Sequence, residues 1–308
     1  MILVLNLNAS IDKKYKIKNI EKGTVMRASS VHNTAGGKGL HVANVATILG
    51  EDTLATGFLG GTTGDFIKEK LSEMNIKNDF VSIKNATREC LAFITEDLEQ
   101  TEVLEPGPEL IDGELEKFLE KYKMLLKDAS VVVASGSVPR NLSKDIYKKL
   151  IEIAKENNKK FLLDTSGELL IKGIEGKPFF IKPNKDEIED IMGRKVETTE
   201  DILKEIDEFH KKGIEFVVIS LGKDGSIAGY KGEKYRVRVP KVKAVNPVGS
   251  GDAFVGGIAT GIERGYNIEK ILAFAAACGT SNALEEETGV VNKDTVNKLM
   301  EEIEVTKL

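Results

Sequence analysis

The sequence is poor in the residues that mark several classes of protein. It has no tryptophan, two cysteines and seven prolines in 308 residues. Two cysteines are too few for a disulfide-stapled secreted scaffold, and so few prolines argue against long disordered linkers. No apolar run approaches the ~18 residues that a membrane-spanning helix needs. Residues 1–8 lack the basic start and the cleavage site of a signal peptide, so we expect a cytoplasmic protein without a membrane partner.

The charge balance is mildly acidic. Lys and Arg number 44 and Asp and Glu number 49, which gives a formal net charge of −5 at pH 7. This balance argues against nucleic acid as a partner, although a local basic pocket can still bind a small anion. Hydrophobic residues make up 41% and charged residues 30%, as in ordinary globular proteins.

Strand-like and helix-like patterns alternate along the chain. Strands are predicted at residues 2–8, 54–59, 131–135, 161–164, 179–182 and 216–221. Amphipathic helical patterns lie between them, and one carries Leu115, Phe118, Leu119 and Tyr122 on a single stripe. The alternation predicts an α/β fold with a mostly parallel sheet, whose ligands bind at the carboxyl ends of the strands.

Two segments interrupt this alternation. Residues 13–35 and 88–104 are strand-like without an intervening helix. We therefore expect them to form an antiparallel flap beside the main domain. Residues 226–239 predict a hairpin at the edge of the main sheet.

The strongest local signal is the glycine-rich run from Asn246 to Asp252, which leads directly into a helical pattern. Its glycines let a ligand approach the backbone, and the start of a helix offers unpaired N–H groups to a phosphate. The charge of Asp252 would repel a phosphate. This residue therefore either caps the helix or acts as a general base toward an attacking hydroxyl, and the local sequence leaves both interpretations open.

A second glycine turn, residues 36–39 around Lys38, also precedes a helical pattern. It is not a Walker A motif, because neither Ser nor Thr follows the Gly-Lys pair, and neither glycine turn fits the dinucleotide fingerprint. Asn184 and Glu187 follow a predicted strand, where their oxygens suit Mg²⁺ but also suit an ordinary helix start. The turn at residues 220–225 can bind a nucleotide or simply bend the chain.

In this order, the motifs resemble the ribokinase-like (PfkB) family of carbohydrate kinases over essentially the whole chain. The family's two signatures correspond to residues 36–39 with the following helix and to residues 246–254. Within the family the sequence is similar to the sugar-phosphate kinases, through residues 7–12, 34–40, 87–90, 101–108, 135–139, 182–187 and 246–252. The resemblance implies a three-layer α/β/α fold with a mostly parallel central sheet and a small β-sheet lid. It also implies one kinase domain over residues 1–308, with a lid at about 13–35 and 88–104.

The resemblance further implies ATP and Mg²⁺ as cofactors and a ketohexose phosphate as the acceptor of the γ-phosphoryl group. Asp252 would be the catalytic base, with backbone donors from Gly249, Ser250 and Gly251. The expected substrate-binding residues are Asp12, Arg27, Gly36, Gly37, Lys38, His41, Arg88 and Ser137. The expected ATP-binding residues are Asn184, Ser220, Gly222, Gly225, Gly249, Gly251 and Asn282, with Asn184 and Glu187 at the metal. Kinases of this kind often pair through their lids, which implies a homodimer.

His41 stands where the family usually has Asn, which leaves the choice of sugar open without touching phosphoryl transfer. Lys38 and Arg88 argue against a kinase of uncharged sugars or nucleosides, because two cations in a sugar pocket need a counter-anion. A non-catalytic sugar-phosphate sensor would have a damaged base or metal site, whereas Asp252 and Glu187 are both present. A Rossmann oxidoreductase is disfavoured by the missing fingerprint.

Overall fold

The computed structural model describes residues 1–97 and 99–308. Its strands are β1 (Ile2–Asn6), β2 (Ser10–Lys16), β3 (Ser30–Gly36), β4 (Thr53–Gly60), β5 (Lys77–Asn78), β6 (Val81–Ile83), β7 (Arg88–Ile94), β8 (Gln100–Leu104), β9 (Val131–Ser135), β10 (Lys160–Asp164), β11 (Phe180–Ile181), β12 (Phe216–Ser220), β13 (Ser226–Tyr230), β14 (Glu233–Arg238) and β15 (Glu304–Lys307). Its helices are α1 (Lys38–Leu49), α2 (Gly61–Glu73), α3 (Glu114–Leu125), α4 (Ile146–Glu156), α5 (Gly167–Glu175), α6 (Lys185–Met192), α7 (Thr199–Lys211), α8 (Ser250–Glu263), α9 (Ile268–Leu284) and α10 (Lys293–Glu302).

A large sheet forms the centre of the molecule. Its strand order is β15-β14-β13-β12-β11-β10-β9-β1-β4-β5, and β6 pairs with the far end of β4. The strands from β4 to β12 in this order are parallel, while β13, β14 and β15 form an antiparallel edge. The predicted α/β fold with a mostly parallel sheet is confirmed, and the hairpin expected at the sheet edge is β13–β14.

Strand β1 shows why the sheet lies inside the molecule. All five of its residues are buried, and its side chains alternate between two apolar clusters. Ile2 and Val4 belong to the cluster under α1 and α8, whereas Leu3 and Leu5 belong to the cluster under α3 and α4. Helices therefore cover both faces, which gives the three layers typical of a parallel sheet.

The second sheet is the lid, a name kept here for β3, β2, β7 and β8 in that spatial order. The pairs β2–β3 and β7–β8 are antiparallel, and the central pair β2–β7 is parallel. Both segments assigned to an antiparallel flap from the sequence contribute strands to this sheet, which begins at Ser10, but its central pair is parallel and residues 17–29 form no strand. The parallel central pair places residues of two distant segments side by side, with Ser10 opposite Arg88.

Helix α9 is an element that periodicity did not predict. It is buried from Ala275 to Asn282, so no polar stripe alternates with an apolar one. It packs closely on α8, where a Cβ added at Gly257 would lie 2.7 Å from the Cα of Ala275. Among the described residues, no helix is both long enough and apolar enough to cross a membrane.

Candidate active site

A cleft of about 1000 Å³ lies where the lid meets the carboxyl ends of the parallel strands. This volume is at the upper end of ordinary ligand sites, so it has room for two small ligands. The expected site residues that line it are Asp12, Gly37, Lys38, His41, Arg88, Ser137, Asn184, Glu187, Ser220, Gly249, Gly251 and Asp252. Two glycine turns, the lid and three strand ends thus meet at one place.

The glycine turn before α8 forms part of the cleft floor. Gly249 has a left-handed backbone (φ 82°), and a Cβ there would lie 2.5 Å from Cγ2 of Thr288, so only glycine fits. The backbone N–H groups of Gly251 and Asp252 have no acceptor within residues 1–97 and 99–308. They are free to bind the oxygens of a phosphoryl group, as the start of a helix favours.

Asp252 lies in the first turn of α8 and does not cap the helix. The N-cap is Gly249, and no side chain makes a capping hydrogen bond there. The Asp252 side chain is 8% exposed, and its Oδ2 lies 2.8 Å from Nδ1 of His41. A buried carboxylate beside open backbone donors fits the general-base interpretation better than the capping one.

Asp12 reaches the cleft from lid strand β2. The hydroxyl of Ser10 donates to its Oδ1 at 2.7 Å, and its Oδ2 lies 3.9 Å from Nε2 of His41. Burial raises the pKa of Asp12 above its ordinary value. The carboxylate occupies the space over Gly36, where a Cβ would lie 2.1 Å from the Asp12 Cγ. Gly36 therefore acts by leaving room for Asp12 and does not itself line the cleft.

Arg88 is a partly buried cation at the first residue of lid strand β7. One guanidinium nitrogen donates to the carbonyl of Glu105 at 3.0 Å, and the other donates to the carbonyl of Asn8 at 3.2 Å. Its Nε is buried and has no hydrogen-bond partner among the described residues. No described carboxylate forms a direct ion pair with it, although its charge acts on Asp12 on the neighbouring strand, so the guanidinium can still pair with an anionic ligand.

Lys38, at the first residue of α1, lies among carboxylates. Asp164 raises its pKa most, and Asp252 and Glu187 raise it further against the effect of burial. The ammonium therefore stays charged near the start of α8. Our expectation placed Lys38 with Arg88 at the phosphate of the sugar; in the structure its charged neighbours are Asp164, Asp252 and Glu187.

From the sequence we expect Asp164, which closes a predicted strand, at a position where site carboxylates tend to lie, but the sequence did not single out the buried Lys182 beside it. Nζ of Lys182 lies 3.3 Å from Oδ1 of Asp164, and the hydroxyl of Ser135 donates to Oδ2 at 3.2 Å. A Cβ on Gly251 would lie 3.4 Å from the same Nζ, so the ammonium adjoins the glycine turn. The positions of the two residues in the chain indicate a site, because Asp164 ends β10 and Lys182 directly follows β11, and ligands bind at the carboxyl ends of parallel strands.

Asn184 and Glu187 line the cleft and also begin α6. The Asn184 Oδ1 accepts from the Glu187 N–H at 2.8 Å, and Glu187 Oε2 accepts from the Asn184 N–H at 2.9 Å. This capping box is the ordinary helix start that the sequence left open. The other carboxylate oxygen of Glu187, Oε1, takes no part in this capping box. Among the described residues, no group of three His, Cys, Asp or Glu side chains could hold a metal ion.

Four other expected residues lie outside the cleft lining. The Ser250 N–H donates to the Pro247 carbonyl at 3.3 Å, so it is not an open donor. Gly222 and Gly225 shape the turn after β12, with positive φ angles of 58° and 80°. Asn282 is fully buried, and its amide bonds the Val248 carbonyl and the Gly289 N–H, so it holds the glycine turn and cannot reach an adenine.

Arg27 also lies apart from the cleft. It is in the exposed segment between β2 and β3 and lines a separate hollow of about 520 Å³ with Lys16 and Lys18. Within one chain it therefore does not assist Arg88 at the substrate site, which corrects our expectation.

Comparisons with known proteins identify the family. The chain belongs to the pfkB family of carbohydrate kinases, whose model matches residues 5–295. It is 41% identical to a tagatose-6-phosphate kinase of Staphylococcus epidermidis, over the full length of both chains. It is also similar to phosphofructokinase-2 of Escherichia coli in complex with fructose-6-phosphate (26% identity, TM-score 0.91, 98% of each chain). A Thermotoga maritima structure described as a possible 1-phosphofructokinase covers 100% of this chain and 99% of its own, with 26% identity and a TM-score of 0.87.

Proposed function

We propose that the chain is an ATP-dependent kinase that converts tagatose 6-phosphate to tagatose 1,6-bisphosphate. The similarity to a tagatose-6-phosphate kinase over both full lengths supports this choice of substrate. The observation that carries the proposal is one cleft with a buried carboxylate, Asp252, and a cation, Arg88, that has no ion-pair partner among residues 1–97 and 99–308. The first suits proton transfer from a hydroxyl, and the second suits a phosphate already present on the sugar.

Asp252 takes the proton of the C1 hydroxyl in this proposal. The hydroxyl oxygen bonds to the γ-phosphorus of ATP while the bond from that phosphorus to ADP breaks. The N–H groups of Gly251 and Asp252 bind the oxygens of the group in transfer, since they have no acceptor in the described structure. Lys38 supplies positive charge at the same place, because the carboxylates around it keep it protonated.

The lid supplies the contacts to the sugar. Asp12 orients sugar hydroxyls, and the guanidinium of Arg88 binds the phosphate with a planar set of donors. Ser137 lies at the same wall, where it accepts a hydrogen bond from Asn8 at 3.0 Å. Closure of the lid over the sugar excludes water and so limits wasteful hydrolysis of ATP.

Asn184, Glu187 and Ser220 mark the nucleotide end of the cleft. A bound Mg²⁺ would neutralise charge on the ATP phosphates. The free Oε1 of Glu187 suits a ligand of that ion. Residues 1–97 and 99–308 contain no cluster of three His, Cys, Asp or Glu side chains that could hold a metal by themselves. This donor set fits a Mg²⁺ ion that is held mainly by phosphates and water.

We also propose a homodimer formed through the lids. Val31 on β3 and Val103 and Leu104 on β8 are large apolar side chains that are more than half exposed. Sedimentation analysis of the wild type and a Val103→Lys variant tests this assembly, and a monomeric wild type would refute it. A cytoplasmic location stays a prediction from the sequence.

Fructose 1-phosphate is the second candidate substrate. The similarity to the Thermotoga maritima protein favours it, and His41 leaves the choice of sugar open. Fructose 6-phosphate would place the chain nearer the Escherichia coli relative in function.

Release of ADP with tagatose 6-phosphate, fructose 1-phosphate, fructose 6-phosphate and ribose decides among these substrates. We expect the highest kcat/KM with tagatose 6-phosphate. Fructose 1-phosphate as the best substrate would support the second candidate, and ribose as the best would refute both. Asp252→Asn purified in the same way controls for contaminating kinases.

A further inference from the structure

His41 lies between two carboxylates that come from different parts of the fold. Its Nδ1 is 2.8 Å from Oδ2 of Asp252 on α8, and its Nε2 is 3.9 Å from Oδ2 of Asp12 on lid strand β2. The ring is held on α1 and its side chain is 15% exposed. The ring therefore links the catalytic helix to the lid.

The chemistry of the two contacts assigns the protons on the ring. An ionised carboxylate only accepts hydrogen bonds, so at 2.8 Å the Nδ1 of His41 must carry a proton and donate it to Asp252. The nitrogen that gains or loses a proton is then Nε2, which faces Asp12. The bond to Asp252 persists in both charge states, but only the imidazolium attracts both carboxylates.

The groups around the ring favour the imidazolium. Burial alone would lower the pKa of His41, but the hydrogen bond and charge of Asp252 and the charge of Asp12 outweigh burial and the repulsion from Lys38. Strands β1, β4 and β9 under α1 carry no titratable side chain, and β3 carries only His32. Glu287, which also lines the cleft, lies 3.8 Å from Nε2 of His32. The pKa of His41 therefore lies above its ordinary value.

We propose that His41 is a positioning residue, whose imidazolium fixes the Asp252 carboxylate and neutralises the Asp12–Asp252 pair so that anionic substrates can bind. The proposal rests on the proposed kinase function. His41 occupies Oδ2 of Asp252, which leaves Oδ1 for the substrate hydroxyl. Loss of the Nε2 proton leaves two carboxylates facing ATP and a sugar phosphate, so activity falls as the pH rises through the pKa of His41.

The test uses His41→Asn, since an asparagine amide N–H can take the place of the Nδ1 donor without titrating. The ratio of wild-type to His41→Asn kcat/KM is measured at each pH, so that the titrations of ATP and of the sugar phosphate cancel. We expect this ratio to fall by about tenfold or more toward alkaline pH, because the neutral ring no longer offsets the charges of Asp252 and Asp12, and a charge interaction over about 4 Å in a partly buried site contributes at least that much. His41→Gln, whose amide replaces Nε2 instead, is expected to lose kcat at every pH.

Histidine NMR of the free enzyme provides the second readout. The chain has three histidines, and the signal that is missing in His41→Asn identifies His41. We expect His41 to titrate above the ordinary histidine pKa of about 6.5, and to shift downward in Asp252→Asn. An active kinase whose activity ratio does not change with pH, or whose His41 titrates at or below that ordinary value, would overturn this proposal alone. A chain that phosphorylates no sugar phosphate would overturn the proposed function as well.

Discussion

Replacement of Arg88 by alanine tests the substrate class most directly. A guanidinium has five N–H donors, and in Arg88 the structure uses two of them on the carbonyls of Glu105 and Asn8. The buried Nε is among the donors left over. Arg88 lines the cleft and has no direct carboxylate partner among the described residues, so a phosphate on the substrate is the natural acceptor for its remaining terminal N–H groups.

The size of the effect follows from the charge of the contact. A hydrogen bond to a charged group contributes about 1.5–3 kcal/mol, so Arg88→Ala is expected to lower kcat/KM for a sugar phosphate roughly 10- to 150-fold. The rate with the unphosphorylated sugar is expected to change little, since that substrate never makes the contact. Arg88→Lys is expected to recover only part of the loss, because an ammonium lacks the planar fork.

The assay is ADP release with the phosphorylated and the free sugar, in wild type and variants. Arg238→Ala is a matched control, because Arg238 lies at the far edge of the large sheet and is 61% exposed. Thermal unfolding of Arg88→Ala shows how much the two lost hydrogen bonds to the backbone of Glu105 and Asn8 contribute to stability. Equal losses with both sugars would mean that Arg88 only supports the lid, and the reasoning for a sugar-phosphate substrate would be refuted.

Three further substitutions separate the roles of the site residues. Asp252→Asn is expected to lower kcat roughly 10²–10⁴-fold with ATP affinity retained, by analogy with other positioned bases, and unchanged kcat in steady-state assays would remove it from the mechanism. Gly36→Ala places a Cβ 2.1 Å from the Asp12 carboxyl carbon, so kcat/KM is expected to fall about tenfold or more, as for a lost charged hydrogen bond; wild-type kinetics would show that Asp12 does not bind the sugar. Lys182→Met removes the ion-pair partner of Asp164 and leaves the more distant Lys38 as its cation, so the free energy of unfolding is expected to fall by about 1.5–3 kcal/mol; urea denaturation measures this, and a double change with Asp164→Leu should restore part of it.

The fold was predictable from the sequence because its main signals are local. Strands such as Val131–Ser135 are short, apolar and bounded by polar residues, and the glycine turn at Asn246 to Asp252 marks the start of a helix. Helix α9 was missed because it lacks such a local signal. A helix buried on nearly all sides has no amphipathic stripe, so its periodicity carries no signal.

The site was less predictable, because its contacts join residues far apart in the chain. Asp252 and His41 are separated by 211 positions, and no spacing rule relates them. Arg27 and Asn282 show the opposite error. Both were carried over by resemblance, yet Arg27 lies in another hollow and Asn282 spends its amide on the backbone of the glycine turn.

The placement of the charged groups divides the work between the two sheets. Arg88 and Asp12 belong to neighbouring lid strands, β7 and β2, whereas Asp252 and Lys38 begin helices that pack on the large sheet. The groups proposed to recognise the sugar therefore belong to the lid, and the groups proposed to transfer the phosphoryl group belong to helices packed on the large sheet. Changes in the lid should then act mainly on kcat/KM, and changes at the helix starts mainly on kcat. His41 is the one described side chain that contacts both Asp12 of the lid and Asp252 of α8. It therefore connects the lid to the proposed base.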